Sequence, residues 1–298
     1  MVLVMVLYRV GALRQRALGG IRMMVSRPKE ESPYVAAKAL PTPRMPAVIL
    51  VNTFSEANLG SVSRIMLNYG MHDLRLVAPV ANPKGDEARR LAVGSVDLLD
   101  NAKIFATLKD AIEDLQIVYA TTARDRTANY ETYTPRSAAK KLIIGAIEQP
   151  LVGIVFGPET SGLMNKDISL CNGVINIDTN PGFPVLNLAQ ATNCIGYEMW
   201  QRRLEVLEGE GGDRTNPKAG EEDLPSQAEV DFFLSRLERE LFSRGFRSVT
   251  KNNNAPALLE DEERRQQFSG LLTFFKRASV NKSELRMLQG MLSTLINK

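Results

Sequence analysis

Short, largely apolar runs recur through the first two thirds of the chain, at Ala47–Val51, Leu74–Ala78, Gln116–Thr121, Val152–Phe156 and Val174–Ile177. Apolar residues fill successive positions in these runs instead of alternating with polar ones, so a strand built from any of them has no face to give to water. Between them lie stretches with helical spacing. Val62, Ile65, Met66 and Tyr69 share one face of a helix over Gly60–Asn68, closed by Gly70. Thr107 and Asp110 have the spacing of a capping box and open a helix through Leu115. Ser137–Glu148 is another helical segment, and from Val185 the pattern runs to about Leu207. Strands buried on both faces and alternating with helices predict an α/β fold, a parallel sheet with helices on both faces.

A chain of 298 residues with 44% apolar content can bury one large core or two modest ones. The divisions follow composition. Residues 1–44 form an N-terminal extension and residues 45–207 the α/β domain. Residues 208–227, rich in Gly, Asp, Glu, Pro and Lys, read as a flexible acidic linker, and residues 228–298 as an all-helical C-terminal domain. Its helices, Ala228–Arg244, Leu258–Arg277 and Ser283–Ile296, are too few to bury their apolar faces alone, so they pack on a partner subunit or on the main domain.

Lys and Arg number 37 against 34 acids, a net charge of +3 that says little about nucleic acid. The first acid is Glu30, preceded by Arg9, Arg14, Arg16, Arg22, Arg27 and Lys29. This profile fits a mitochondrial or plastid transit peptide over residues 1–29; a bacterial tail or a mis-assigned start is the other reading, and it leaves the protein cytoplasmic. No apolar run reaches the roughly 18 residues of a membrane span, so no membrane partner is expected. Cys171 and Cys194 have no ligand spacing around them and read as two buried thiols, with no metal site. The one histidine, His72, reads as a loop residue, which argues against chemistry built on a histidine base.

No GxGxxG follows the first strand and no GxxxxGK[ST] occurs; Gly209-Glu-Gly-Gly212 lies in the polar linker after a helix. The phosphate cradles of dehydrogenases, Rossmann-type methyltransferases and P-loop enzymes are therefore missing. Glycines instead follow other strands. Asn52-Thr-Phe-Ser-Glu-Ala-Asn-Leu-Gly60, with Arg64 behind it, follows the first strand; Phe156-Gly-Pro-Glu-Thr-Ser-Gly-Leu163 follows the fourth; Pro181-Gly-Phe-Pro-Val-Leu-Asn-Leu-Ala-Gln-Ala191 follows the last. Ligands of parallel sheets bind beyond the carboxyl ends of the strands, so these three loops can close on one site.

Taken together and in this order, the three motifs resemble those of the SPOUT superfamily of RNA methyltransferases, and within it the TrmH/TrmJ family of ribose 2′-O-methyltransferases. The resemblance covers about Val48 to Glu198, and Phe232-Phe233, Gly245-Phe246, the final helix and Thr121-Thr-Ala-Arg-Asp-Arg126 extend it towards the TrmJ type. It implies a C-terminal trefoil knot in the α/β domain, a homodimer, S-adenosyl-L-methionine as cofactor and RNA, not DNA, as substrate. The TrmJ likeness implies tRNA, at nucleotide 32 of the anticodon loop; ribosomal RNA, or RNA binding with weak catalysis, are the alternatives. The family pattern places the cofactor against Thr121, Thr122, Ala123, Gly157, Ile177, Pro184, Val185 and Leu186. It makes Arg64 the essential arginine, with Asn58, Glu159 and Asn187 as the other polar positions. A guanidinium with a pKa above about 12 serves better as a phosphate clamp than as a base, leaving Glu159 to orient Asn58 or Arg64. Val185 departs from the pattern: the family has Ser there. Arg124, Arg126, Lys140, Lys141, Arg244, Arg247 and Lys251 are candidates for a phosphate track.

Overall fold

In a computed structural model, the described residues are 32–38, 43–124, 130–144, 150–208, 224–244, 274–276, 278 and 280–296. After a short helix α1 (Pro33–Lys38), the order is β1 (Ala47–Val51), α2 (Glu56–Asn68), β2 (Leu74–Val77), α3 (Asp86–Leu91), α4 (Val96–Asp100), β3 (Lys103–Phe105) and α5 (Leu108–Ile112). It continues with β4 (Ile117–Thr121), β5 (Thr132–Tyr133), α6 (Pro135–Leu142), β6 (Val152–Phe156), α7 (Asn165–Ile168), β7 (Gly173–Ile175) and α8 (Leu188–Glu208). Last come α9 (Gln227–Ser243) and α10 (Lys282–Ile296).

The seven strands form one sheet in the order β3-β2-β1-β6-β4-β7-β5, and every pair is parallel. The apolar runs have a direct cause in the packing. Val48 and Leu50 enter the cluster that holds Leu59, Met66, Ile195 and Met199 of α2 and α8. Ile49 and Val51 enter the opposite one, with Leu108, Ile112 and Ile168 of α5 and α7. The C-terminal helices make a third cluster around Val230, Phe233, Leu234, Leu285 and Leu292.

The expected α/β fold is present, with several differences. β3 and β5 were not anticipated: they are short strands at the two edges of the sheet, and Lys103 and Ile104 of β3 are exposed. The helix expected from Gly60 starts at Glu56, because Ser55 caps it by accepting the Asn58 backbone N–H. Within it Gly60 meets α3 so closely that a Cβ there would stand 2.2 Å from the Ala88 carbonyl oxygen. The pattern read from Val185 becomes helix only at Leu188, and the last strand ends at Ile175, which leaves Ile177 in the loop.

Both ends of the expected linker belong to the packed structure. Glu208 completes α8, and residues 224–227 are docked on the main domain: the Gln227 N–H donates to Leu115 at 2.8 Å and Gln116 Nε2 to the Leu224 carbonyl at 2.7 Å. Residues 209–223 lie outside the described residues, as do 1–31 and most of the helix expected over 258–277. Of the two thiols only Cys171 is buried, its pKa pushed by burial up to about 12; Cys194 is half-buried. His72 lies in the turn before β2. No helix among the described residues is long and apolar enough to cross a membrane.

Candidate active site

The carboxyl ends of β1, β6, β4 and β7 are neighbours at one edge of the sheet, so the loops that follow them share one surface. After β6 the chain turns at Gly157, where a Cβ would lie 2.3 Å from the Leu163 backbone nitrogen. Only glycine lets the loop fold back this tightly. The fold is completed by Gly162, at a φ of 64°, whose N–H donates to the Pro158 carbonyl at 2.8 Å.

That turn delivers the Glu159 carboxylate to the loop after β1. Its Oε2 accepts the Phe54 N–H at 3.3 Å; its Oε1 accepts the Ser55 N–H at 3.4 Å and Asn58 Nδ2 at 2.9 Å. Asn58 Oδ1 in turn accepts Asn187 Nδ2 at 2.9 Å, and Asn187 Oδ1 accepts the Ala189 N–H at 2.8 Å. An ionised carboxylate can only accept, so Glu159 dictates the amide orientation of Asn58, and Asn58 that of Asn187. Gln190 completes the start of α8 by accepting the Asn187 N–H through Oε1 at 3.2 Å. Three of the four polar residues singled out from sequence therefore meet, although Asn58 lies in the first turn of α2 and Glu159 and Asn187 in the loops after β6 and β7. Of the two expected targets, Glu159 orients Asn58.

Arg64 stands apart. It is six residues beyond Asn58 on α2, about 9 Å along the axis and about 120° round it. It is exposed and makes no hydrogen bond or ion pair among the described residues.

The positions expected to hold a cofactor border the same surface. Thr121 closes β4 and donates its hydroxyl to the Val155 carbonyl at 3.0 Å, so its side chain ties β4 to β6. The Thr122 N–H donates to Ile175, its Oγ1 accepts the Arg124 N–H, and Ala123 is exposed. Ile177 packs half-buried on the core. Pro184 and Val185 are exposed, Val185 to 63%, and Leu186 is half-buried. Thr179 Oγ1 donates to the Pro184 carbonyl at 3.0 Å and Asn180 accepts the Gly182 and Phe183 N–H groups, which shapes this loop from within.

Ser55 and Gln190 were missed at the sequence level, although each stands at capping distance from a residue that was named. Of the phosphate-track residues, Lys140 and Lys141 are exposed on α6. Arg124 is committed to the Ser161 carbonyl, and Arg244 to the Leu295 carbonyl at the end of α10. Arg126, Arg247 and Lys251 lie outside the described residues. No group of His, Cys, Asp or Glu among the described residues could hold a metal ion.

Residues 45–197, the span that carries all three loops, match the SpoU rRNA Methylase family. The chain belongs to that family. As a SpoU-family protein it is an RNA methyltransferase of the SPOUT superfamily. It is 34% identical to the tRNA (cytidine/uridine-2′-O-)-methyltransferase TrmJ of Cronobacter sakazakii, over 83% of this chain and 94% of the relative. It is 32% identical to the tRNA (cytidine/uridine/adenosine-2′-O-)-methyltransferase TrmJ of Pseudomonas aeruginosa, over 83% and 91%. Among solved structures, TrmJ from Z. mobilis ZM4 is similar with a TM-score of 0.67 and 33% identity, covering 84% of this chain and 99% of that one. That coverage extends beyond the residues of the family match, so the likeness to TrmJ reaches past the SpoU domain.

Proposed function

We propose that this protein methylates the 2′-hydroxyl of a ribose in tRNA, at nucleotide 32 of the anticodon loop, with S-adenosyl-L-methionine as methyl donor. The observation that carries the reading is the chain Glu159–Asn58–Asn187, which joins the three family motifs at the carboxyl edge of the sheet. The names and coverage of the TrmJ relatives support tRNA over ribosomal RNA.

The residues present fit the cofactor. Gly157 lets the loop after β6 fold back tightly beside the surface, and Ile177 and Leu186 offer apolar faces to an adenine ring. Backbone N–H and C=O groups of the loop from Pro184 to Leu186 can read its edge, which needs no particular side chain and tolerates Val185. When bound, the cofactor supplies a methyl group on a sulfonium centre. The protein's part is to place the ribose oxygen in line and to let its proton leave. Arg64, extended into solvent, is suited to grip the phosphate beside the target ribose, with a phosphate oxygen or water taking the proton. Glu159 keeps Asn58 and Asn187 in one amide orientation, so the site is polarised before substrate arrives.

The same reading includes a homodimer and a trefoil knot formed by the chain around β6, β7 and α8. The second reading, RNA binding with weak catalysis, is favoured by Val185, which puts an exposed apolar side chain where a hydroxyl is usual. Incubation with labelled S-adenosyl-L-methionine and total RNA, followed by mapping of ribose methylation, separates the readings. Label at tRNA nucleotide 32 is expected. Label confined to ribosomal RNA, or cofactor binding without transfer, would overturn it. Arg64→Ala is expected to abolish transfer while cofactor affinity stays within about twofold, since a phosphate clamp touches only the RNA.

A further inference from the structure

At the opposite edge of the sheet, where β1, β2, β3, β4 and β6 begin, lies a cavity of about 570 Å³. That volume is in the range of small-molecule sites. Met45, Leu151 and Val152 contribute an apolar floor, and the charged lining is unequal: Lys38, Arg44, Arg75, Lys103 and Arg203 against Asp73 and Asp114.

Hydrogen bonds fix part of this charge in the wall of the cavity. Arg75 is 3% exposed and donates from Nε and Nη2 to Asp73 Oδ2 at 3.1 and 2.7 Å. It donates from Nη2 to Asp114 Oδ2 at 2.9 Å, and from Nη1 to the Ala111 carbonyl at 2.7 Å and to Asp114 Oδ1. All of a guanidinium's donors are thereby used, so Arg75 is a fixed part of the wall. Lys103 shares Asp73, through Oδ1 at 3.1 Å. Both carboxylates are thus engaged by cations of the wall, and Lys38, Arg44 and Arg203 add positive charge around the space. Arg203 is buried and held by the Pro43 carbonyl at 3.1 Å and the Trp200 ring at 5.1 Å, whereas Lys38 is exposed with no bond among the described residues. Like charge gathered in a concavity raises the local concentration of anions.

We propose that this cavity is a second binding site, for a nucleoside phosphate, with Lys38 and Arg44 receiving the phosphate and Met45 and Leu151 the base. The volume is too large for phosphate alone, and the apolar floor gives a ring something to lie on. The site is independent of the proposed methyl transfer: it lies at the amino ends of strands of the parallel sheet, whereas Asn58, Glu159 and Asn187 lie beyond carboxyl ends of that sheet.

Calorimetric titration of the full chain with AMP, in saturating S-adenosyl-L-methionine so that the cofactor surface is occupied, tests the proposal. AMP is expected to bind, with adenosine and inorganic phosphate each weaker by about tenfold or more. Lys38→Glu and Arg44→Glu are each expected to weaken AMP by about tenfold, and Lys38→Glu to leave the melting temperature and nucleotide-free methyl transfer unchanged. Should Arg44→Glu not fold, the exposed Lys38 carries the test alone. A 5′-phosphorylated oligonucleotide that displaces AMP from the wild type but not from Lys38→Glu would identify an RNA terminus as the source of the same phosphate. AMP binding that S-adenosyl-L-methionine abolishes, or that survives the charge reversals, would overturn the proposal.

Discussion

Glu159 accepts three N–H groups and can donate none, and that asymmetry decides what its replacement does. In Glu159→Gln one oxygen can still serve Ser55 and Asn58, but the new amide group turns its own N–H towards the donor of Phe54. Relief comes only if the side chain rotates, which releases Asn58 and then Asn187. A lost hydrogen bond of this kind costs about 1–3 kcal/mol, and misplacement at a reacting centre lowers rate more than binding. Glu159→Gln is therefore expected to lower the single-turnover rate by about tenfold or more while cofactor affinity changes little. If rate and affinity fell together, Glu159 would be a cofactor contact instead. The residue types of this network were legible in the sequence, because each lies within one of the three motifs. Its connectivity was not, since nothing in a linear motif says which of two partners a carboxylate will face.

The C-terminal helices depend on a few polar contacts. Lys276, 2% exposed, donates Nζ to Asp231 Oδ1 at 3.2 Å and to Gln227 Oε1, and its carbonyl accepts Asn172 Nδ2 at 3.1 Å. Gln227 Nε2 donates to the Gln116 carbonyl at 2.8 Å, so the buried cation and the start of β4 are joined through a single glutamine. Lys276→Met removes the cation and leaves Asp231, among the described residues, with Lys109 at 3.7 Å as its ion-pair partner. Breaking a buried pair on one side costs about 3 kcal/mol. Backbone amides of α9 are expected to lose hydrogen-exchange protection while those of β1 and β6 keep theirs; unchanged protection in α9 would show that apolar contacts alone dock these helices. Amphipathic spacing made α9 and α10 readable in the sequence. Their seat was not, because Gln116, Asn172 and Gln227 sit far apart in the chain and none belongs to a recognisable pattern. β3 and β5 escaped notice for a related reason: two- or three-residue edge strands leave too short a run of apolar residues to register.

Over the whole molecule the sheet separates two kinds of surface, a polar network at the carboxyl ends of its strands and a charged wall at their amino ends. The second was invisible in the sequence because Asp73, Arg75 and Asp114 come together only once β2 and α5 pack. Their protonation sets how the fold answers to acid. Burial alone would raise the Asp73 and Asp114 carboxyls, but hydrogen bonds and charge from Arg75, with Lys103 helping at Asp73, outweigh it and hold both below the ordinary value. Burial likewise lowers the His72 imidazole; Asp73 opposes the shift, while Lys38, Lys103 and Arg44 add to it. In each case the unfolded chain binds protons at a pH where the folded one does not, so stability is complete above the unfolded pKa and falls as pH drops through the folded one. Two stages follow: a loss from His72 beginning below about pH 6.5, and a steeper one from the two aspartates below about pH 4. Urea unfolding measured from pH 7.5 to 3 is expected to show both, and His72→Gln to remove the upper stage while the lower remains. A single loss confined to the carboxylate range in the wild type would mean that His72 is as accessible to protons in the fold as out of it.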